Sequence, residues 1–252
     1  MFNKAVSQAR NLSKLQQFFF SQQKVLALFG APGVGKGTYA KMLKKDLGYN
    51  HISTGDEIRN ILKGNVPETF DKSLIEEVRS IVTSGGLVGD EIVIGILKEK
   101  LKEPASQKGV ILDGVPRTIG QLELQKKAGI KTDLVVNLIL NRSVLLEKLM
   151  ARRVCEGCGE NYNICNIDRD GYLMEPLNPK KEGICDKCGG KLIIRSDDRE
   201  EVISNRMEEY EEKTAPLLSA YQNITRVVDF EPKKGKKSYP ELLPLIQANL
   251  SE

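Results

Sequence analysis

Apolar residues in this chain fall into short unbroken runs separated by longer stretches where they recur every three or four positions. Lys24-Val25-Leu26-Ala27-Leu28-Phe29, Val110-Ile111-Leu112 and Leu134–Leu140 are too short for helices and predict buried strands, with a later one at Ile224–Asp229. Helical spacing covers Tyr39–Leu47, Ser73–Thr83, Glu91–Leu101, Ser143–Arg153, Glu200–Thr214 and Tyr239–Leu250. Strands spaced by helices predict parallel βαβ units in an α/β fold, with ligands collecting beyond the carboxyl ends of the strands. Two segments break the pattern. The first 22 residues carry Lys4, Arg10 and Lys14 and no acid, and the first acidic residue is Asp46. At about 100° per residue, Phe2, Ala5, Val6, Ala9, Leu12, Leu15 and Phe19 share one half of a helical wheel and the three cations the other. A basic, acid-free, amphipathic start predicts an organellar, mitochondrial, targeting segment, the alternative being a surface arm on a cytoplasmic protein. The second segment, Val154–Ile194, holds all five cysteines, is rich in Gly, Asn and Asp, and reads as a small inserted subdomain.

Composition adds limits. At 252 residues, 40% hydrophobic and 29% charged, the chain suits one buried domain with insertions. Its longest purely apolar run, Val25–Phe29, is far short of a membrane span. A net charge of +4 fits anionic small molecules, but with 7 Tyr, 7 Phe and no Trp it does not argue for nucleic acid. The one histidine, His51, excludes a His-rich metal centre.

The strongest chemical signal follows the first strand. Gly30-Ala31-Pro32-Gly33-Val34-Gly35-Lys36-Gly37-Thr38 links a predicted strand to a predicted helix and reads as a phosphate-binding loop. Backbone N–H groups and the helix dipole converge on one spot there, and Lys36 adds a full positive charge. Gly37 replaces the Ser or Thr that commonly ligates Mg²⁺ directly after the lysine, and Thr38 comes one place late.

A second signal lies in the inserted segment. Cys155-Glu156-Gly157-Cys158 and Cys185-Asp186-Lys187-Cys188 are two CxxC knuckles separated by 26 residues. Four thiolates from two such turns predict a closed tetrahedral site for structural Zn²⁺, with iron and a disulfide pair as the alternatives. Cys165 is left over as a free thiol or a competing ligand.

Seven segments in order carry a family resemblance: Gly30–Thr38; His51-Ile52-Ser53-Thr54-Gly55-Asp56 with Arg59; Leu112-Asp113-Gly114-Val115-Pro116-Arg117-Thr118; Ala151-Arg152-Arg153-Val154; Arg195-Ser196-Asp197-Asp198; Asn205-Arg206; and Thr214-Ala215-Pro216-Leu217. Together they resemble adenylate kinases from Lys24 to about Leu250. The resemblance implies a monomeric nucleoside monophosphate kinase with a five-stranded parallel phosphate-loop core (24–52, 83–150 and 195–252) behind an N-terminal extension (1–23). It also implies a helical monophosphate-binding subdomain (53–82) and a zinc-type lid (151–194). Substrates would be Mg²⁺-bound ATP, or alternatively GTP, and AMP. By resemblance, Gly33, Val34, Gly35, Lys36, Gly37, Thr38, Lys148 and Arg152 would bind the donor. Thr54, Arg59, Val88, Gly114, Arg117, Gln121, Arg195 and Arg206 would bind AMP. Lys36, Arg117, Arg152, Arg195 and Arg206 would stabilise the moving phosphoryl group, and Asp113 would orient Mg²⁺ through waters.

The residues support that chemistry independently, because phosphoryl transfer asks for positioning and charge stabilisation, and the chain offers arginines with no evident nucleophile or base. Taken singly, each arginine is a solvated side chain, Asp113 a turn former, and Asp197 and Asp198 caps of the helix near Glu200. Three positions depart from the family. Val115 stands for an aromatic, Lys148 for an arginine stacking on the donor base, and Asp229-Phe230-Glu231-Pro232 lacks a glycine near that base. The stretch from Cys165 to Pro176 is also longer than usual. Two other readings stand beside this one. The first is a low-turnover nucleotide-sensing or structural subunit of a larger organellar assembly, docked through its arm and the Lys233–Lys237 run. The second is a kinase for UMP or CMP.

Overall fold

The computed structural model describes residue 20, residues 23–65 and residues 72–250, so the N-terminal targeting expectation lies outside the described residues. The chain runs β1 (Val25–Phe29), α1 (Lys36–Leu47), β2 (Asn50–Ser53), α2 (Thr54–Leu62), α3 (Lys72–Ser84), α4 (Asp90–Lys102), β3 (Val110–Asp113), α5 (Ile119–Lys127), β4 (Leu134–Leu138) and α6 (Arg142–Met150). Then come β5 (Arg152–Cys155), β6 (Asn161–Asn163), β7 (Ile167–Arg169), β8 (Tyr172–Met174), β9 (Leu192–Ile193), α7 (Glu200–Glu209), α8 (Leu217–Gln222), β10 (Arg226–Phe230) and α9 (Tyr239–Leu250).

Five strands form one parallel sheet in the order β10-β4-β1-β3-β2. β1, β3 and β4 are buried along almost their whole length, which is why they read as continuous apolar runs instead of alternating ones. Alternation persists within those runs. Leu26, Leu28, Ile111, Leu134 and Val136 face one layer, with Leu43 of α1, Leu145 of α6 and Leu242 of α9. Val25, Ala27, Phe29, Val110 and Val135 face the other, with Leu97 of α4, Leu122 of α5 and Tyr221 of α8. With β4 on one side of β1 and β3 on the other, the chain reverses direction around β1, and a cleft opens at the carboxyl ends.

The sequence reading placed the main strands and long helices but missed β2, α2, α5 and α8. α2 and α5 are capped locally, Ser53 accepting from the Asp56 N–H and Thr118 from the Gln121 N–H. Their apolar faces are short, so periodicity alone is weak. The helix expected over Ser143–Arg153 ends at Met150, because Arg152–Cys155 pairs antiparallel with β6 and β9. The helix expected over Glu200–Thr214 is regular only to Glu209 and widens to π geometry over Tyr210–Thr214.

The inserted segment is two structures. A three-stranded sheet, β6-β5-β9, carries the cysteine knuckles around a small core of Cys155, Tyr162, Cys185 and Leu192. The β7–β8 hairpin, within the extra length from Cys165 to Pro176, packs on the main core instead. Ile167, Tyr172 and Met174 are buried in the same cluster as α1, α6 and α9. The Tyr172 hydroxyl donates to Glu231 Oε1 at 2.5 Å and accepts from the Asn141 N–H, and the Leu173 N–H donates to Lys233 O at 2.9 Å. Arg169–Glu147 and Lys237–Glu175 ion pairs flank it. Among the described residues no helix is long and apolar enough to cross a membrane.

Candidate active site

The phosphate loop sits where β1 meets α1. Gly33 is required there: its φ is +86°, and a Cβ would lie 2.8 Å from Leu149 Cγ and 2.9 Å from Leu145 O. α6 therefore packs directly behind the loop. Helix α1 starts with Gly35 at its N-cap and no side-chain cap, so its first N–H groups are left for a ligand. Lys36 donates to Gly30 O at 2.6 Å and Ala31 O at 3.2 Å, holding its ammonium over the loop.

One cleft, with an open volume of about 1370 Å³, collects the loop, Asp113, Lys148 and the cations Arg59, Arg117, Arg152, Arg195 and Arg206. That space suits two nucleotide-sized ligands. The arginines come from α2, the turn after β3, β5, the segment after β9, and α7, so only the folded chain assembles them. Carboxylates hold some of them. Asp198, with no exposed side-chain surface, takes Arg152 through both guanidinium Nε and Nη2 and accepts from Arg206 at 2.9 Å. Asp197 lies 3.2 Å from Arg206, and Asp56 lies 2.5 Å from Arg59 and 3.8 Å from Arg195. The helix-capping role weighed for Asp197 and Asp198 is therefore set aside: α7 has Arg199 at its N-cap and no side-chain cap bond.

Positive charge still exceeds negative. Burial lowers the Lys36 pKa to about 8; Asp113 raises it, and Arg117, Arg206 and Arg152 lower it further. Burial, then Arg152 and Arg59, pulls Arg195 below its ordinary value, and its Nε is buried without a partner. Arg117 and Arg206 are lowered chiefly by burial as well. A site that holds cations uncomfortably is built for polyanions, whose oxygens would satisfy those donors.

Lys36 gives a pH prediction. Phosphate oxygens would raise its pKa above the free-protein value of about 8, so nucleotide binding should take up a proton above that pH. Affinity should then fall as pH rises past 8. Calorimetry at pH 8.5 in buffers of different ionisation enthalpy measures the uptake; binding with none would contradict this assignment.

Asp113 ends β3 with Oδ2 3.4 Å from His51 Nε2 on β2, and a Cβ on Gly37 would lie 3.4 Å from the same oxygen. Burial opposes its ionisation, but His51 and Lys36 hold its pKa below the usual carboxylate value. It thus faces the loop as an anion, beside the position where Gly37 supplies no hydroxyl. The sequence reading did not foresee His51 as its partner, since the two are 62 positions apart and meet only through β2–β3 pairing.

A second cavity adjoins the first and gathers Thr54, Arg59, Val88, Gly114, Arg117, Gln121 and Arg206. Gly114 has φ +80°, and a Cβ would meet Arg117 Nη2 at 2.6 Å. The Thr54 hydroxyl donates to Gly114 O, the Arg117 N–H to Gln121 Oε1, and the Thr214 hydroxyl to Arg117 O. The Arg117 turn is thus tied to three elements. Of the residues expected for AMP, Arg195 alone lies only on the larger cleft. Among those expected for the donor, Val34 is buried beneath the loop and does not line the cleft.

This arrangement matches a known one. The adenylate kinase family model matches residues 28–226. The chain belongs to the adenylate kinase family. It is 41% identical over 231 residues to an adenylate kinase of Carboxydothermus hydrogenoformans, covering 90% of this chain and 99% of that one. It is 37% identical over 227 residues to a GTP:AMP phosphotransferase of Plasmodium falciparum, covering 88% and 95%. It is 40% identical over 226 residues to a rice protein named "Probable adenylate kinase 1, chloroplastic", covering 86% and 73%. As a member of that family the chain is a nucleoside monophosphate kinase, transferring a phosphoryl group between nucleotides.

The adenylate kinase cleft is covered by the cysteine-bearing sheet. Lys41 of α1 pairs with Glu160 at 2.9 Å, and Lys63 beyond α2 donates to Glu156 O at 2.8 Å. Cys155, Cys158, Cys185 and Cys188 bring their sulfurs within 4.8 Å of one another. Cys155–Cys188 is 3.4 Å and Cys158–Cys185 3.6 Å, near the edge of about 3.8 Å expected for a Zn–S₄ tetrahedron. The Cys158 and Lys187 N–H groups and the Tyr162 hydroxyl donate to these sulfurs, as outer partners of a metal thiolate do. The donor set fits a structural divalent metal. Cys165 stands apart, half-buried, its thiol donating to Asn163 Oδ1.

Proposed function

We propose that the protein catalyses reversible, Mg²⁺-dependent phosphoryl transfer from a nucleoside triphosphate to AMP. The observation that carries this reading is the convergence of Lys36, Arg117, Arg152, Arg195 and Arg206 on one cleft that joins the phosphate loop to the Thr54–Gln121 cavity. The triphosphate's β- and γ-phosphates would lie on the uncapped start of α1 with Lys36, and its α-phosphate and sugar toward Lys148. AMP would occupy the second cavity, its phosphate between Arg59 and Arg117. Arg152, Arg195 and Arg206 would then face the moving phosphoryl group, where guanidinium forks match equatorial oxygens. Asp113 would orient the substrate's Mg²⁺ through water. No side chain need act as a nucleophile, because alignment and charge neutralisation supply most of the barrier reduction.

In the same reading the core, the helical 53–82 segment and the 151–194 segment are three subdomains, the cysteine-bearing sheet being the lid. Structural Zn²⁺ would stiffen that lid, whose own apolar core is only four residues. Replacing Cys155 and Cys158 with Ser should drop metal content from about one ion per chain to near zero and lower thermal stability. Elemental mass analysis decides it, and unchanged metal would sink the four-thiolate site. The basic N-terminus supports a mitochondrial location and a chloroplastic relative makes an organellar one plausible; imaging a full-length fusion tests it.

The test of the activity is direct. Purified protein with Mg²⁺, AMP and ATP or GTP should form two diphosphates. Nucleotide binding without turnover on any acceptor would favour the sensing or structural reading, and transfer to UMP or CMP in preference to AMP the third.

A further inference from the structure

At the outer end of the cleft, away from the transferring phosphates, one cation has almost nothing to hold. Lys148 is half-buried on α6, one position before Leu149, the residue that packs against Gly33 of the phosphate loop. Its side chain lines the cleft. The ammonium's only recorded hydrogen-bond acceptor is Met174 Sδ at 3.8 Å, a weak one. Three N–H donors are thus aimed at the place where whatever extends beyond the loop-bound phosphates must pass.

The acceptors around it are already taken. Asn163 Oδ1 receives the Cys165 N–H and thiol, while its amide donates to Lys148 O at 2.7 Å. Lys233 O receives the Leu173 N–H, and Gly235 O receives the Tyr39 hydroxyl at 2.5 Å. A Cβ on Gly235 would lie 3.4 Å from Met174 Cγ, so the hairpin residue that backs Lys148 also closes the wall behind it. This corner offers spare donors and few spare acceptors.

The purines differ in that respect. Guanine presents O6 and N7 as two adjacent acceptors, which an ammonium satisfies together. Adenine puts its N6 amino group, a donor, in place of O6, and that amino group faces a like donor at Lys148. We propose that Lys148, positioned by Met174 of the β7–β8 hairpin, selects a guanine nucleotide as phosphoryl donor by reading its O6/N7 edge. This rests on the kinase reading above and adds to it the identity of the donor. The hairpin thereby acts as part of the donor site, and the length inserted between the two cysteine knuckles has a use.

The test compares MgGTP, MgITP and MgATP as donors to saturating AMP, with the full chain and products separated chromatographically. GTP and ITP, which share O6 and N7, should exceed ATP in kcat/KM by at least tenfold, within the range of one bidentate base contact. K148M should cut the GTP-to-ATP ratio at least tenfold, acting through KM for GTP, and K148R, which keeps paired donors, should retain most of it. M174A should shift the ratio the same way by a smaller factor. ATP used as well as or better than GTP, ITP behaving like ATP, or K148M slowing both donors equally would each overturn the proposal. Those results leave AMP phosphorylation standing. If no donor supports transfer to AMP, the kinase reading itself fails and the proposal with it.

Discussion

Lys36→Met should lower kcat by about 10³-fold while the protein stays folded with an unchanged or slightly raised Tm. The ammonium is the one full charge contributed by the loop itself, placed against Gly30 and Ala31 carbonyls and beside Asp113. Removing a single preorganised group that meets developing charge costs about 10²–10³ in rate, and a full charge belongs at the upper end. Stability should not suffer, for a reason visible in the ionisation. Burial and three arginines depress the Lys36 pKa from 10.5 to about 8, so the folded protein disfavours this charge relative to the unfolded chain. Between about pH 8 and 10.5 the unfolded state binds more protons, and stability rises with pH there. At pH 7 the charged Lys36 is a net cost to folding, and methionine fills similar space without it. Steady-state kinetics with a thermal melt check both halves; near-normal kcat would remove Lys36 from the mechanism.

Asp198→Asn should destabilise the protein by about 3 kcal/mol and also reduce kcat by about 10²-fold. Asp198 has no exposed side-chain surface and joins Arg152 of β5 to Arg206 of α7. Loss of its charge leaves two largely buried guanidiniums facing each other with only Asp197 nearby. For a chain of this size, that energy corresponds to a fall in Tm of about 6–12 °C. The rate falls for a separate reason, since Arg152 loses both bonds that fix its fork. A variant with Tm within 1 °C of the parent would show that the three-way ion pair does not hold the hinge between β5 and α7.

These two residues differ in how visible they are beforehand. Lys36 is legible from nine consecutive residues, because a phosphate loop is local: glycines, the following helix and the lysine are all set by neighbouring positions. The strands β1, β3 and β4 are legible for a similar reason, being buried on both faces and so apolar throughout. The two CxxC knuckles are legible because metal geometry imposes spacing on each turn. Asp198 is not. Next to a helix start it reads equally well as a cap, and only the positions of Arg152 and Arg206 reveal its task. His51 beside Asp113 and the free ammonium of Lys148 are equally invisible in the linear order.

By itself, then, the amino-acid sequence determined the α/β core, the phosphate loop, the four-cysteine cluster and, by resemblance, membership of the kinase family. Each of those is written in residues close together or in an ordered series of short motifs. The tertiary structure decided what pairs with what: which carboxylates restrain which arginines, and that β7–β8 packs on the core and not with the cysteine sheet. It also decided that Lys148 faces the cleft with donors to spare. Such facts depend on long-range burial, which sets both the local dielectric and the set of available partners, and neither can be read from neighbours along the chain.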